Sequence, residues 1–331
     1  MGSRSDPRVS DARSASDQAE PLCGSAVRDT GRSSPTFTER LHARVRSLDT
    51  RVCLGIDPRP AAHPLTHPER HGRDPARVAR AVAAYARDVL HATHDLVACV
   101  KPQSAFFEAL GIPGLIALAQ VIADARALEL PVVLDAKRGD IGSTAEAYAE
   151  AYLGDGVFAA DALTINPYLG LDTLEPFLAR AAAGGRGVFV LVKTSNPGSG
   201  DLQDVVGDDG RRLHQRLADA LADRAGALPH DTDGYAPLGA VVGATYPTDL
   251  ADARARLPRS VLLVPGYGAQ GGRADDVVAA CDANGLGAVV NASRSLFYPV
   301  GGTADDVGHA ARAAASAMRE DLNRALAERA G

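Results

Sequence analysis

Eight short apolar runs of strand character recur along the chain, each separated from the next by a segment of helical periodicity. The runs are RVCLGID (51–57), LVACVKPQ (96–103), PVVLDAK (131–137), ADALTINP (160–167), GVFVLVKTS (187–195), LGAVVGAT (238–245), SVLLVPG (260–266) and GAVVNAS (287–293). Between them, segments such as ARVARAVAAYARDVLHAT and LIALAQVIADARAL place apolar residues at three- and four-residue steps, the mark of an amphipathic helix. A further helix precedes the first strand: TFTERLHARVRSL offers Thr36 as an N-cap and Leu41, Val45 and Leu48 at helical spacing. Strands alternating with helices predict an α/β protein built from βα units on a parallel sheet. Eight such units in about 280 residues match an eightfold β/α (TIM) barrel in number and size. On alternation alone, a doubly wound open sheet fits as well.

The polar residues at the strand ends favour the barrel. The first run ends in Asp57, the second in Lys101, the third in Asp135 and Lys137. The fourth ends near Asn166, the fifth in Thr194 and Ser195, the seventh in a glycine-rich loop, and Arg294 follows the eighth. In a barrel the C-terminal strand ends converge on one face, where active sites lie. In an open sheet they would spread along a line and could not all reach one small ligand.

The segment LPVVLDAKRGDIGSTAEAY (130–148) carries the densest charge. Residues two apart on a strand share a face, so Asp135 and Lys137 are expected to point the same way, with Asp140 on the following loop. Charges of alternating sign are costly to desolvate unless they pair. A surface ion-pair cluster is the plain reading of one isolated D-x-K-x-x-D. Two connections are long: 58–74, rich in Pro and His, and 196–209, rich in Gly and Asp, which would suit a mobile lid.

Composition narrows the function class. The 331 residues carry a net charge of −6, no Trp and few other aromatics, which disfavours a nucleic-acid surface. None of the four cysteines, Cys23, Cys53, Cys99 and Cys281, forms a C-x-x-C pair, so neither a zinc site nor a disulfide framework is suggested. That cysteine usage fits a reducing compartment and a cytoplasmic protein. No apolar run is long enough to cross a membrane as a helix. Residues 1–35, rich in Ser, Arg, Asp and Pro, read as a disordered extension, and 36–331 as a single barrel domain.

GYGAQGG contains Gly266, Gly268 and Gly271 in a formal G-x-G-x-x-G. A dinucleotide site would need an acid at the end of the next strand, where Asn291 stands instead. A glycine-rich turn can still cradle a phosphate, with Arg294 as the matching cation; a tight turn and a surface arginine is the alternative. His63, His67 and His71 are four apart, but Pro64 and Pro68 break any helix that would align them on a metal.

DAKRGDIGST, LGIDPRP, VVGATYP, VPGYGAQGG and ASRS fall in an order that resembles the orotidine 5′-phosphate decarboxylase family, in its longer bacterial subgroup, over roughly residues 36–326. The resemblance implies decarboxylation of orotidine 5′-monophosphate to uridine 5′-monophosphate, the last step of de novo pyrimidine nucleotide synthesis, with no cofactor and no metal. It implies that Lys137 protonates carbon 6 of the pyrimidine and that Asp135 sits beside the substrate carboxylate. It places Asp57 and Lys101 at the ribose, Lys101 extending the charge network, Ser195 and Pro265 at the base, and Gln270 and Arg294 at the phosphate. It implies a homodimer in which Asp140, Ile141 and Thr144 serve the neighbouring subunit's site. Loss of carbon dioxide from carbon 6 leaves an sp² carbanion that no ring carbonyl delocalises. A preorganised lysine ammonium held by carboxylates meets that charge and then acts as the acid. Two rivals stand beside this reading. A magnesium-dependent sugar-phosphate decarboxylase of the same superfamily keeps D-x-K-x-x-D but needs an acid where this chain has Lys101. A non-catalytic nucleotide-binding barrel would have no use for such clustered charge.

Overall fold

All eight expected strands are present and parallel: β1 (Val52–Ile56), β2 (Cys99–Pro102), β3 (Val133–Arg138), β4 (Ala162–Ile165), β5 (Gly187–Lys193), β6 (Leu238–Val242), β7 (Leu262–Pro265) and β8 (Ala288–Ala292). The computed structural model describes residues 34–268, 271–299 and 306–330. The expected extension 1–35 therefore lies outside the described residues up to position 33, as does Cys23. Strand order runs β2-β1-β8-β7-β6-β5-β4-β3. Single parallel bridges, Val100 to Val132 and Gln103 to Asp135, join β2 to β3 and close the ring. That closure removes the open-sheet alternative.

The two faces of each strand separate cleanly. Outward residues such as Val52, Leu54 and Ile56 of β1, or Val188, Val190 and Val192 of β5, pack against the surrounding helices. Inward residues Cys53, Cys99, Val133, Ala162, Phe189, Val241, Leu263 and Val289 fill the barrel's lower interior. This is the period-2 alternation of a strand read on two different cores. One step further along β1, β2, β3, β4 and β8 the inward position becomes small or polar, Gly55, Lys101, Asp135, Thr164 and Asn291, while Leu191, Val241 and Leu263 of β5 to β7 carry the apolar lining up to the cavity. The interior thus grades from hydrocarbon at the N-terminal end to charge at the C-terminal end.

Helix α1 (Phe37–Leu48) seals the apolar end. Thr36 caps it with a capping box to Glu39, and Phe37, Leu41 and Val45 enter the lower interior. Phe37 meets Phe189 edge-on at 6.0 Å. Cys53 and Cys99 lie opposite each other in the β1–β2 register and, with Cys281, are buried thiols. The three histidines of 58–74 are taken up by turns. His63 Nδ1 accepts from the Leu65 amide, His67 from that of Glu69, and His71 Nε2 lies 2.7 Å from the Leu65 carbonyl. The 196–209 connection is a folded flap, a 3₁₀ turn (Pro197–Ser199) followed by a short helix (Gly200–Gln203).

Candidate active site

At the C-terminal ends of the strands lies a cavity of about 640 Å³. Asp57, Lys101, Asp135, Lys137, Ser195, Pro265 and Arg294 all line it, each delivered by the end of a different βα unit except for the Asp135–Lys137 pair. Convergence of this kind is what a closed barrel does with its strand ends.

Asp135 is the hub. Its Oδ2 lies 2.8 Å from Lys101 Nζ and its Oδ1 lies 2.6 Å from Lys137 Nζ. Lys101 and Asp135 are buried, while the Lys137 side chain is 44 % exposed toward the cavity. Burial alone would push the Asp135 carboxyl up; the Lys101 and Lys137 ammoniums outweigh it and hold it well below the usual carboxylate range. Burial likewise opposes the charge on Lys101, but Asp135 and Asp57 together raise that lysine above its ordinary value. Both Asp135 oxygens are occupied by ammoniums, so the carboxylate has little left to offer a metal. Asp57 Oδ1 is buried and accepts no hydrogen bond from the protein, which leaves an acceptor for a ligand hydroxyl.

Asp135 and Lys137 meet for a different reason than strand alternation. The β3–β4 register shifts between Leu134 and Arg138, and Lys137 sits at φ +48°, in the left-handed region. For a lysine that conformation costs on the order of 1–2 kcal/mol. Thr164 on β4 holds it in place. Its Oγ1 accepts from the Ala136 amide at 3.1 Å and the Lys137 amide at 3.0 Å, and donates to Asp135 Oδ1 at 2.9 Å. One hydroxyl thus spends both lone pairs and its proton on this bulge. Sequence reasoning missed Thr164, because a threonine in a strand reads as ordinary β-former. Thr164→Val keeps the shape but leaves two amides without their acceptor. We expect a loss of about 1–3 kcal/mol in stability and a fall in kcat of at least about tenfold, read by denaturant unfolding and steady-state turnover. Unchanged kcat would mean that the bulge does not depend on the hydroxyl.

The opposite wall is built on small residues. A Cβ at Gly243, just past β6, would lie 2.9 Å from both Cα and Cβ of Ser195, and one at Gly55 would lie 2.0 Å from Ser293 Oγ. These glycines let Ser195 and Ser293 stand at the cavity. Gly243→Ala is therefore expected to displace Ser195 and to raise KM severalfold more than it lowers kcat; unchanged KM would remove Ser195 from the ligand's reach. The flap contributes Gln203, whose side chain brackets Thr194 through its amide at 2.9 Å and its hydroxyl at 2.9 Å. Lys193, buried at the end of β5, clamps the flap by holding both Asp204 oxygens at 2.8 Å. Arg59, with its guanidinium 5.1 Å from the Phe106 ring, adds a second arginine to the lining. Neither Gln203 nor Arg59 was expected from sequence; both lie on connections, where strand-end logic is blind. Gln270 lies outside the described residues.

Asp140, Ile141 and Thr144 are not in this cavity. Asp140 Oδ1 accepts the Ile141 amide at 2.8 Å, and Ile141 is 61 % exposed at the start of the helix Gly142–Leu153.

The comparisons with known proteins agree with this geometry. Residues 50–303 match the family described as orotidine 5′-phosphate decarboxylase / HUMPS. A Deinococcus radiodurans protein named orotidine 5′-phosphate decarboxylase is 49 % identical over 294 residues, covering 88 % of this chain and 99 % of that protein. A Rhodopirellula baltica protein of the same name is 48 % identical over 271 residues, covering 80 % and 88 %. Among solved structures, a Streptomyces avermitilis protein described as a putative orotidine 5′-phosphate decarboxylase superposes with a TM-score of 0.76 at 38 % identity, covering 91 % of this chain and 99 % of its own. On fold, sequence and the strand-end cavity together, the chain belongs to the orotidine 5′-phosphate decarboxylase / HUMPS family.

Proposed function

We propose that this protein converts orotidine 5′-monophosphate to uridine 5′-monophosphate and carbon dioxide, closing de novo pyrimidine nucleotide synthesis. The observation that carries the chemistry is the Lys101–Asp135–Lys137 array at the cavity floor. The bond between carbon 6 and the carboxylate breaks, its electron pair stays on carbon 6, and carbon dioxide departs. The Lys137 ammonium faces that carbon, stabilises the localised charge and transfers a proton to it. Asp135 fixes the Lys137 ammonium before substrate arrives, so little reorganisation is needed during the reaction. Its own charge beside the substrate carboxylate is a like-charge contact that eases as carbon dioxide leaves.

Asp57 and Lys101 hold the ribose, Ser195 and Pro265 the base, and Arg294 with Gln270 the phosphate, whose binding supplies remote energy. The protein acts as a cytoplasmic homodimer in which Asp140, Ile141 and Thr144 complete the partner's site. Their position outside this chain's cavity, and the exposure of Ile141, support that reading. No helix among the described residues is long and apolar enough to cross a membrane. The test is the ultraviolet absorbance of orotidine 5′-phosphate mixed with purified protein, with and without EDTA. Decay indifferent to EDTA supports the reading. Decay abolished by EDTA points to metal-dependent chemistry, and no decay with tight uridine 5′-phosphate binding points to a binding protein.

A further inference from the structure

Two groups of histidine and carboxylate side chains among the described residues bring three ligand atoms within reach of a single cation. In one of them, Asp204, His214 and Asp249, the positive charge is already present. Lys193 Nζ lies 2.8 Å from both Asp204 oxygens, and Arg212 lies within 3.9 Å of both carboxylates. The other group, His42, Asp231 and Asp233, lies at the opposite, apolar end of the barrel, where α1 meets the loop entering β6.

The sequence HDTDGY (230–235) builds half of this group. Asp231 Oδ1 accepts the amides of Asp233 at 2.9 Å and Tyr235 at 2.8 Å, and Gly234 takes the left-handed conformation that lets the turn close. One Asp231 oxygen is thereby used up, and Oδ2 is left aimed at His42 Nδ1, 3.7 Å away. Asp233 gives Oδ1 to Arg46 and presents Oδ2 at 3.4 Å from the same nitrogen. His42 and the Asp231 side chain are each 1 % exposed, and the imidazole packs edge-on against Tyr235 at 4.6 Å. Asp231 Oδ2 and both His42 ring nitrogens are buried without a hydrogen bond.

These atoms cannot satisfy one another. Nδ1 carries at most one proton, whatever the charge of the ring, so it can donate to only one of the two carboxylate oxygens that face it, and Asp231 Oδ2 is the one with no other partner. A buried carboxylate oxygen without a partner is costly. One divalent cation would take a lone pair from each of His42 Nδ1, Asp231 Oδ2 and Asp233 Oδ2, and so give both Nδ1 and the buried Asp231 oxygen a partner. A tetrahedral zinc ion with bonds of ~2.0–2.1 Å spaces its ligands about 3.3 Å apart, close to the 3.4 and 3.7 Å separations found. One imidazole nitrogen with two carboxylate oxygens suits zinc better than the all-oxygen shells of magnesium or calcium. The Arg46 guanidinium on the outer Asp233 oxygen would orient that ligand.

We propose that His42 Nδ1, Asp231 Oδ2 and Asp233 Oδ2 form a structural zinc site that pins α1 to the loop entering β6. It lies at the other end of the barrel from the catalytic cavity, and its role is to hold the plug of the barrel in place. The test uses the full chain, stripped with EDTA and desalted, then titrated with Zn²⁺ by calorimetry, with Co²⁺ absorption as a reporter of tetrahedral ligation. We expect saturation at one ion per chain, a higher unfolding temperature with Zn²⁺, and affinity at least about tenfold weaker in both His42→Gln and Asp233→Asn. Asp233 lies at the solvent rim, so its variant remains informative if His42→Gln fails to fold. Equal decarboxylation by stripped and loaded protein is expected. Absence of one-equivalent binding, wild-type affinity in both variants, or activity that requires the ion would each overturn the proposal.

Discussion

Lys137→Ala is expected to lower kcat for orotidine 5′-monophosphate by a factor on the order of 10⁴ or more, while uridine 5′-monophosphate binds within a few-fold of wild type. The magnitude combines two losses. A positioned general acid contributes roughly 10²–10⁴, and removing one preorganised donor from a developing charge costs roughly 10²–10³. Affinity survives because the phosphate and ribose contacts proposed for Arg294, Asp57 and Lys101 do not pass through Lys137. Folding survives because Lys137 is 44 % exposed and Asp135 keeps its buried bond to Lys101 at 2.8 Å. Steady-state kinetics beside calorimetric binding of the product would decide it. Wild-type turnover would overturn the role of Lys137, and parallel loss of turnover and binding would mean that the lysine grips the ligand as a whole.

Asp135→Asn should be the more damaging change to the molecule. The amide presents donor hydrogens where the carboxylate met an ammonium, and Lys101 is left buried with Asp57 as its remaining counter-charge. Breaking a buried pair in this way costs about 3–5 kcal/mol, and kcat should fall together with stability. The pH dependence carries a definite sign. Asp135 is held below its ordinary value, so its contribution is present above about pH 4 and is lost as pH falls toward the depressed native value. Lys101 is raised above its ordinary value, so its contribution is present below about pH 10 and is lost only as pH rises through the raised one. Urea midpoints for wild type should therefore hold from this pair across the neutral range and drop in acid, whereas the variant should start lower and show a shallower acid drop. Matching acid slopes in the two proteins would mean that the pair contributes nothing at neutral pH.

Much of this was legible from the residues. Strand number and the convergence of Asp57, Lys101, Asp135, Ser195 and Arg294 followed from alternation and from what stands at each strand's end. What escaped was of two kinds. The Lys137 bulge is a tertiary event: Thr164 sits 27 residues away in sequence, and no local pattern announces that its hydroxyl will take the Lys137 amide. Arg59 and Gln203 come from connections, whose course is set by what they pack against. The carboxylate–imidazole group at His42 was equally invisible, since α1 and the loop at 231–233 come together only when the barrel is sealed. Asp140, Ile141 and Thr144 were recognisable by motif, yet they do not line this chain's own cavity, and Asp140 is turned to the Ile141 amide at the start of the following helix.

The left-handed backbone at Lys137 has an evolutionary side. Glycine adopts that conformation without penalty, and a glycine there would be about 1 kcal/mol easier to fold than an alanine. The position therefore sets two selective pressures against each other. Conformational preference favours the smallest residue, while the proposed chemistry demands one of the longest. Only glycine would relieve that backbone, and it would also take away the ammonium paired with Asp135 at 2.6 Å, so the position is held for its side chain against its backbone preference.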